Sequence, residues 1–113
     1  MDKDTVILFT RNGMGEAPAE LQTALAVKFL TLLDENRQLP GKIVFYTDGV
    51  KLICHGSPAI DILKKIESQG VELVICHTCL NFFGLLDQVA VGVVGGMGDI
   101  IEALRMAKKV ISV

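Results

Sequence analysis

At 113 residues the chain has room for one domain and little more. Half of it is apolar but aromatics are scarce, so a core must come from Val, Ile, Leu and Ala, the composition of buried parallel strands and the helices that cover them. A net charge of −2, with no Lys/Arg cluster longer than a pair, argues against nucleic acid.

The acidic start, Met1-Asp2-Lys3-Asp4, leads into an apolar run, Val6 to Phe9, too short and wrongly flanked for a signal peptide. The apolar stretch Val89 to Ile101 is broken by glycines and Asp99, so no membrane span is expected. Three cysteines, Cys54, Cys76 and Cys79, are an odd number. With no export signal they favour free thiols in a reducing cytoplasm. The high hydropathy of so small a chain hints at a homo-oligomer, and a very apolar two-faced sheet would explain it nearly as well.

A first strand is expected over Thr5 to Thr10, followed by the loop Arg11 to Gly15 and by Pro18 in a first helical turn. Helix one carries Leu21, Leu25, Phe29 and Leu32 at i, i+4, i+8, i+11, with Ala24 and Leu33 beside them. That stripe is the expected core face. Pro40-Gly41 turns the chain into strand two, Ile43 to Thr47, and Asp48-Gly49 turns it again. Val50 to Cys54 is a short apolar segment to which no element is assigned.

Ser57 as N-cap and Pro58 at the first helical position start helix two, which buries Ile62, Leu63 and Ile66 and ends at Gly70. Strand three, Val71 to Cys76, is apolar except for Glu72 and therefore reads as interior to a sheet. A short helix over Thr78 to Phe83 ends at Gly84, and strand four falls near Val89 to Val94. After Gly95 to Gly98, Asp99 and Glu102 form a capping-box-like start to the last helix. Lys108 and Lys109 stand at its end, and Val110 to Val113 is a last strand. This alternation predicts an α/β fold with a five-stranded parallel sheet and helices on both faces. The working edge is then outside the carboxyl ends of the strands, where the loops at residues 10–15, 47–51, 76–78 and 92–98 meet.

Cys76-His77-Thr78-Cys79 is the most informative segment, a C-x-x-C where a strand meets a helix. The unpaired N–H groups of a helix start favour a thiolate, and the thiolate is the nucleophile. Cys79 falls about one turn further on, close to Cys76. Three chemistries fit: Cys76 accepting sulfane sulfur as a persulfide, a Cys76–Cys79 dithiol/disulfide couple, or a metal held with His77 or His55. The metal reading is weak, because no second C-x-x-C or spaced histidine pair completes a tetrahedral set, and no cofactor is expected. Two buried small hydrophobes would also explain the cysteines.

Other candidates are weaker. Cys54 and His55 are adjacent and in an extended segment point opposite ways, so a buried thiol beside a surface histidine is favoured. Gly13-x-Gly15 lacks the third glycine of a dinucleotide fingerprint, with Pro18 in its place. Gly92, Gly95, Gly96 and Gly98 read as turns, with Asp99 set against a bound phosphate. Arg11 and Lys51 read as solvated cations, and Phe82 to Leu86 as core or interface.

Gly70-Val71-Glu72-Leu73-Val74-Ile75-Cys76-His77-Thr78-Cys79-Leu80-Asn81-Phe82-Phe83-Gly84-Leu85 resembles the DsrE/DsrF-like family, and more closely the C-terminal DsrE-like domain of YedF-type selenium-metabolism proteins. Gly49 to Leu52 with Gly56-Ser57, Gly98 to Leu104, the opening strand and Met14-Gly15 fit the same pattern, so the likeness spans nearly the whole chain as one DsrE-like domain, residues 1–113. It implies a three-layer α/β/α sandwich and a trimeric or hexameric assembly. In sulfur-relay members such as the DsrE and TusD proteins a cysteine lies eight residues before the glycine that ends the short helix. Here that is Cys76, counted back from Gly84, and its implied role is persulfide carrier. Cys79 belongs to the YedF-like pattern. YedF-type proteins carry a preceding TusA/SirA-like domain with a Cys-Pro motif. None occurs here, so that partner is a separate chain or the protein works differently. The expected function is a sulfurtransferase-like carrier using Cys76 and Cys79, with sulfur or selenium as cargo. The alternatives are a non-catalytic oligomeric binding module and a dithiol/disulfide redox protein.

Overall fold

A computed structural model describes residues 1–113. Five strands, β1 (Thr5–Phe9), β2 (Lys42–Phe45), β3 (Glu72–Cys76), β4 (Val93–Gly95) and β5 (Lys109–Ser112), form one parallel sheet in the order β4-β3-β2-β1-β5. The helices are α1 (Ala19–Glu35), α2 (Ile60–Glu67), α3 (His77–Phe82) and α4 (Met97–Met106), and a 3₁₀ segment covers Thr47–Ile53. The chain steps one way across the sheet from β1 to β4 and then returns past all of them to β5. Right-handed crossovers put α1, α2 and α3 on one face and α4 on the other. In keeping with this, α1 packs on α2, and α4 packs on β3 and β4.

The core is the sheet itself. Val6 to Phe9, Ile43 to Phe45, Leu73, Ile75 and Cys76 are all buried. Interior parallel strands covered on both faces need such continuous apolar runs. Phe9 stacks on Phe45 with ring centroids 5.5 Å apart and meets Phe29 edge-on.

Several element-level expectations are corrected. The stripe Leu21, Leu25 and Leu32 does not face the core; these residues are exposed and Phe29 is only half-buried. The buried face of α1 is Ala26, Leu30 and Leu33, because the helix is apolar on two sides and the smaller stripe fits the sheet. Pro18 precedes α1 as its N-cap. In α2, Leu63 and Ile66 are buried while Ile62 is half-buried. That helix begins two residues later than its cap signal, with the Ala59 N–H donating to Ser57 Oγ at 3.1 Å. Strand β4 starts only at Val93, is exposed, and lies on the sheet edge. Helix α4 begins at Met97, so Asp99 accepts from the N-cap Gly96 N–H at 2.9 Å, while Glu102 pairs with Arg105 instead.

Candidate functional site

Cys76 is the last residue of β3 and the N-cap of α3. Its neighbour across the ladder is Gly95, at the end of β4. The crossover that leaves β3 lies on one face and the one that leaves β4 on the other. The crevice between these two carboxyl ends is therefore the switch point at which such sheets bind ligands. Helix α3 ends at Gly84, whose φ of 69° is the left-handed cap that glycine adopts without strain.

One turn along α3, the Cys79 thiol stands close enough to Cys76 for the two to influence each other's ionisation. Cys76 is fully buried and Cys79 half-buried; all three cysteines are free. A second element completes the site. The chain leaves β2 at Tyr46 and enters the 3₁₀ segment at Thr47, whose N–H donates to Cys79 Sγ at 3.0 Å. Thr47 stands at φ 49°, a left-handed conformation that is strained for a β-branched residue. Its hydroxyl fixes that conformation by donating to a backbone carbonyl, either that of Thr10 at 2.6 Å or that of Tyr46 at 2.7 Å. Gly49 makes the turn possible: a side chain there would meet the Phe9 carbonyl oxygen at 1.9 Å.

Burial pushes the Cys79 thiol above its ordinary value. The neighbouring Cys76 thiol adds to the rise, the Thr47 N–H opposes it, and the negative charge of Asp48 adds a little more. Lys51 offsets that charge only in part, since its ammonium pairs with Asp48 at 2.8 Å and lies over the Phe83 ring, 4.4 Å from its centroid. Lys51 and Phe83 line a groove of about 540 Å³ that also takes in Asn12, Cys54, His55 and Ser57, and neither Cys76 nor Cys79 lines it. Phe82, three residues after Cys79, is 83 % exposed. A larger groove, about 610 Å³, runs along edge strand β4 past Glu72, Val94 and Asp99 and holds no thiol.

The structure thus brings Cys76 and Cys79 together and leaves Cys54 apart. Cys54 is buried, and its Sγ donates to the Val50 carbonyl at 3.3 Å. His55 and His77 are exposed, and no group of three His, Cys, Asp or Glu side chains is arranged to hold a metal. Thr47 is the residue that sequence reasoning missed. Its signals are its place at the head of the working-edge loop 47–51 and the Asp48-Gly49 turn after it, which mark a bend but not the direction of an N–H.

The sequence matches the DsrE/DsrF-like family over residues 3–113, so the chain belongs to that family. Three solved structures share the fold. The protein of unknown function MTH1491 from Methanobacterium thermoautotrophicum is 19 % identical, with a TM-score of 0.71 over 96 % of this chain and 97 % of that one. The ychN protein from E. coli is 16 % identical, with a TM-score of 0.69 over 96 % and 98 %. The conserved protein of unknown function BT1422 from Bacteroides thetaiotaomicron is 15 % identical, with a TM-score of 0.69 over 97 % and 95 %. No curated protein matches the chain. No helix is long and apolar enough to cross a membrane.

Proposed function

We propose that this protein is a sulfurtransferase-type persulfide carrier that holds sulfane sulfur on Cys76, supported by Cys79, and surrenders it to a thiolate on a partner protein. The observation that carries this reading is the thiol pair at the carboxyl end of β3 with a backbone N–H aimed into it. Persulfide exchange needs access to the donor sulfur and a sulfur that can leave again, and the Thr47 N–H offsets part of the burial cost that raises Cys79. Membership of a family that includes sulfur-relay proteins supports the same chemistry. Two neighbouring thiols with no third ligand favour group transfer over metal binding.

The finer parts of the reading rest on the resemblance to YedF-type proteins. They are a TusA/SirA-like partner, selenium as an alternative cargo, and a cytoplasmic site of action. A homo-oligomeric state is supported by the exposed leucines of α1, Leu21, Leu25 and Leu32, which a sister subunit would cover. The same leucines, with a fully buried Cys76, favour a second reading: an oligomeric binding module whose thiols are incidental.

Intact-protein mass spectrometry after incubation with a persulfide donor separates the two. A carrier gains one sulfur atom, lodged on Cys76 by peptide mapping, and Cys76→Ser loses the stable adduct. No adduct, or one spread evenly over Cys54, Cys76 and Cys79, rejects the carrier and leaves the module.

A further inference from the structure

The two sulfurs of the pair stand at different depths. Cys76 exposes none of its surface, whereas Cys79 is half-buried. A donor persulfide must bring its outer sulfur in line with the attacking thiolate, so access decides which thiol meets it. Cys79 alone of the two has that access in the closed fold, and it alone receives the Thr47 N–H. That N–H is aimed by a strained residue, and the strain is held in place by a hydroxyl bond to the end of β1 or to the preceding carbonyl. An outlier held in this way beside a reactive atom is a reason to look for a role.

Resting on the persulfide-carrier reading above, we propose that Cys79 is the thiol that receives the sulfur, that Thr47 positions it, and that the sulfur then moves inward to Cys76. In the first step Cys79 gives its proton to solvent and its thiolate attacks the outer sulfur of a donor R–S–SH. The bond Cys79–S–SH forms, the donor S–S bond breaks, and R–S⁻ leaves and takes up a proton. In the second step the Cys76 thiolate attacks the outer sulfur of Cys79–S–SH. Cys76–S–SH forms and Cys79 departs as a thiolate, which takes the proton that Cys76 lost. Each step breaks one S–S bond and makes one, so no oxidant or reductant is consumed. Thr47 N–H serves both steps, because Cys79 sulfur is anionic as nucleophile in the first and as leaving group in the second. The sulfur ends on an atom that solvent thiols do not reach, which suits a carrier that must not lose its cargo on the way.

Time-resolved loading tests the order. Wild-type protein is mixed with a low-molecular-weight persulfide, quenched by alkylation at intervals, and mapped by peptide mass spectrometry. The adduct is expected on Cys79 first and on Cys76 later, a result that needs no variant. Cys79→Ser should load about tenfold more slowly or worse, since only an unexposed sulfur remains. Cys76→Ser should load on Cys79 but lose the sulfur faster to excess thiol. Thr47→Val, which removes the hydroxyl bond, should move the pH profile of Cys79 alkylation upward, and Thr47→Ser should restore it. An adduct that appears first on Cys76, or a folded Cys79→Ser that loads Cys76 at the wild-type rate, overturns the inference and leaves the carrier standing. A profile unmoved by Thr47→Val removes Thr47 from it. A wild type that takes up no sulfur overturns the carrier and the inference together.

Discussion

Cys54 and Cys79 are both covered thiols beside the same 3₁₀ segment, yet the backbone treats them oppositely. Cys54 Sγ faces the Val50 carbonyl and donates to it, so its proton is in use and burial alone pushes its thiol up. Cys79 Sγ faces the Thr47 N–H and accepts from it, so part of the cost of burial is returned to the thiolate. Burial therefore does not separate the two thiols. The polarity of the nearest backbone group does, and here one segment, residues 47–53, presents an N–H at its first residue and a carbonyl at its middle.

The largest way to break that contrast is Gly49→Ala. The added carbon would sit 1.9 Å from the Phe9 carbonyl oxygen, so the segment must lift off β1. Forced overpacking of this kind costs about 3 kcal/mol, seen as a lower denaturant midpoint. Because Thr47 moves with the segment, Cys79 should also lose its N–H and alkylate at higher pH. A variant with wild-type stability and wild-type Cys79 profile would show that the turn does not hold the thiol.

How much of this was legible follows from where the physics is local. The alternation of strands and helices, the caps at Ser57 and Gly84, and the position of Cys76 at a strand end all depend on neighbours in sequence, and the structure places them within a few residues of expectation. The inward face of α1 does not. Leu21, Leu25 and Leu32 and the set Ala26, Leu30 and Leu33 are both at helical spacing, and only the sheet selects between them. Strand β4 starts later than its apolar run because Val89 and Ala90 pair elsewhere: the Ala90 N–H donates to the Ile53 carbonyl and the His55 N–H to the Gln88 carbonyl, which pins the loop against Cys54. The depth difference between Cys76 and Cys79 and the N–H of Thr47 are set across the fold, and a C-x-x-C spacing carries neither.

A smaller change sharpens the comparison from the other side. Cys54→Ala removes a buried sulfur and one bond to its own turn, worth about 1 kcal/mol. Sulfur loading should be unchanged, measured by the same mass assay. A loss of loading that tracks this variant, at a temperature where it remains folded, would place Cys54 in the site after all.

The thiols also set an alkaline limit. In the unfolded chain cysteines ionise near pH 8.5, about the ordinary value. In the folded chain Cys54 is raised by burial, and Cys79 by burial and then by Cys76, so both keep protons that the unfolded chain has lost. Their contribution to stability is full below the unfolded value and is lost as pH rises through the raised folded ones. The melting temperature should therefore fall as pH climbs above about 8.5, and Cys54→Ala should flatten part of that fall. A melting temperature that holds level across the range would mean that neither thiol is held protonated by the fold.

The smallest effect lies at the opposite edge of the sheet, where the thiols should not feel it. Helix α1 runs back from the carboxyl ends of the strands, so its last turn, with Asp34, stands near their amino ends. There Asp34 accepts from Gln69 at 2.7 Å and pairs with Lys65 at 2.8 Å, tying α1 to the end of α2. The Gln69 bond first, and then the Lys65 bond and charge, hold the carboxyl below its usual range. The sign is the reverse of the thiols: the contribution is present above the unfolded carboxyl value and is lost as pH falls through the lower folded one. Asp34→Asn should therefore make the acid side of the melting curve slightly flatter, by a small amount because the lysine partner is largely exposed. It should leave the alkylation rate of Cys79 where it was. A Cys79 rate that shifts with Asp34→Asn would mean that α1 transmits a change from one edge of the sheet to the other, and the N–H of Thr47 would then be set by more than its own turn.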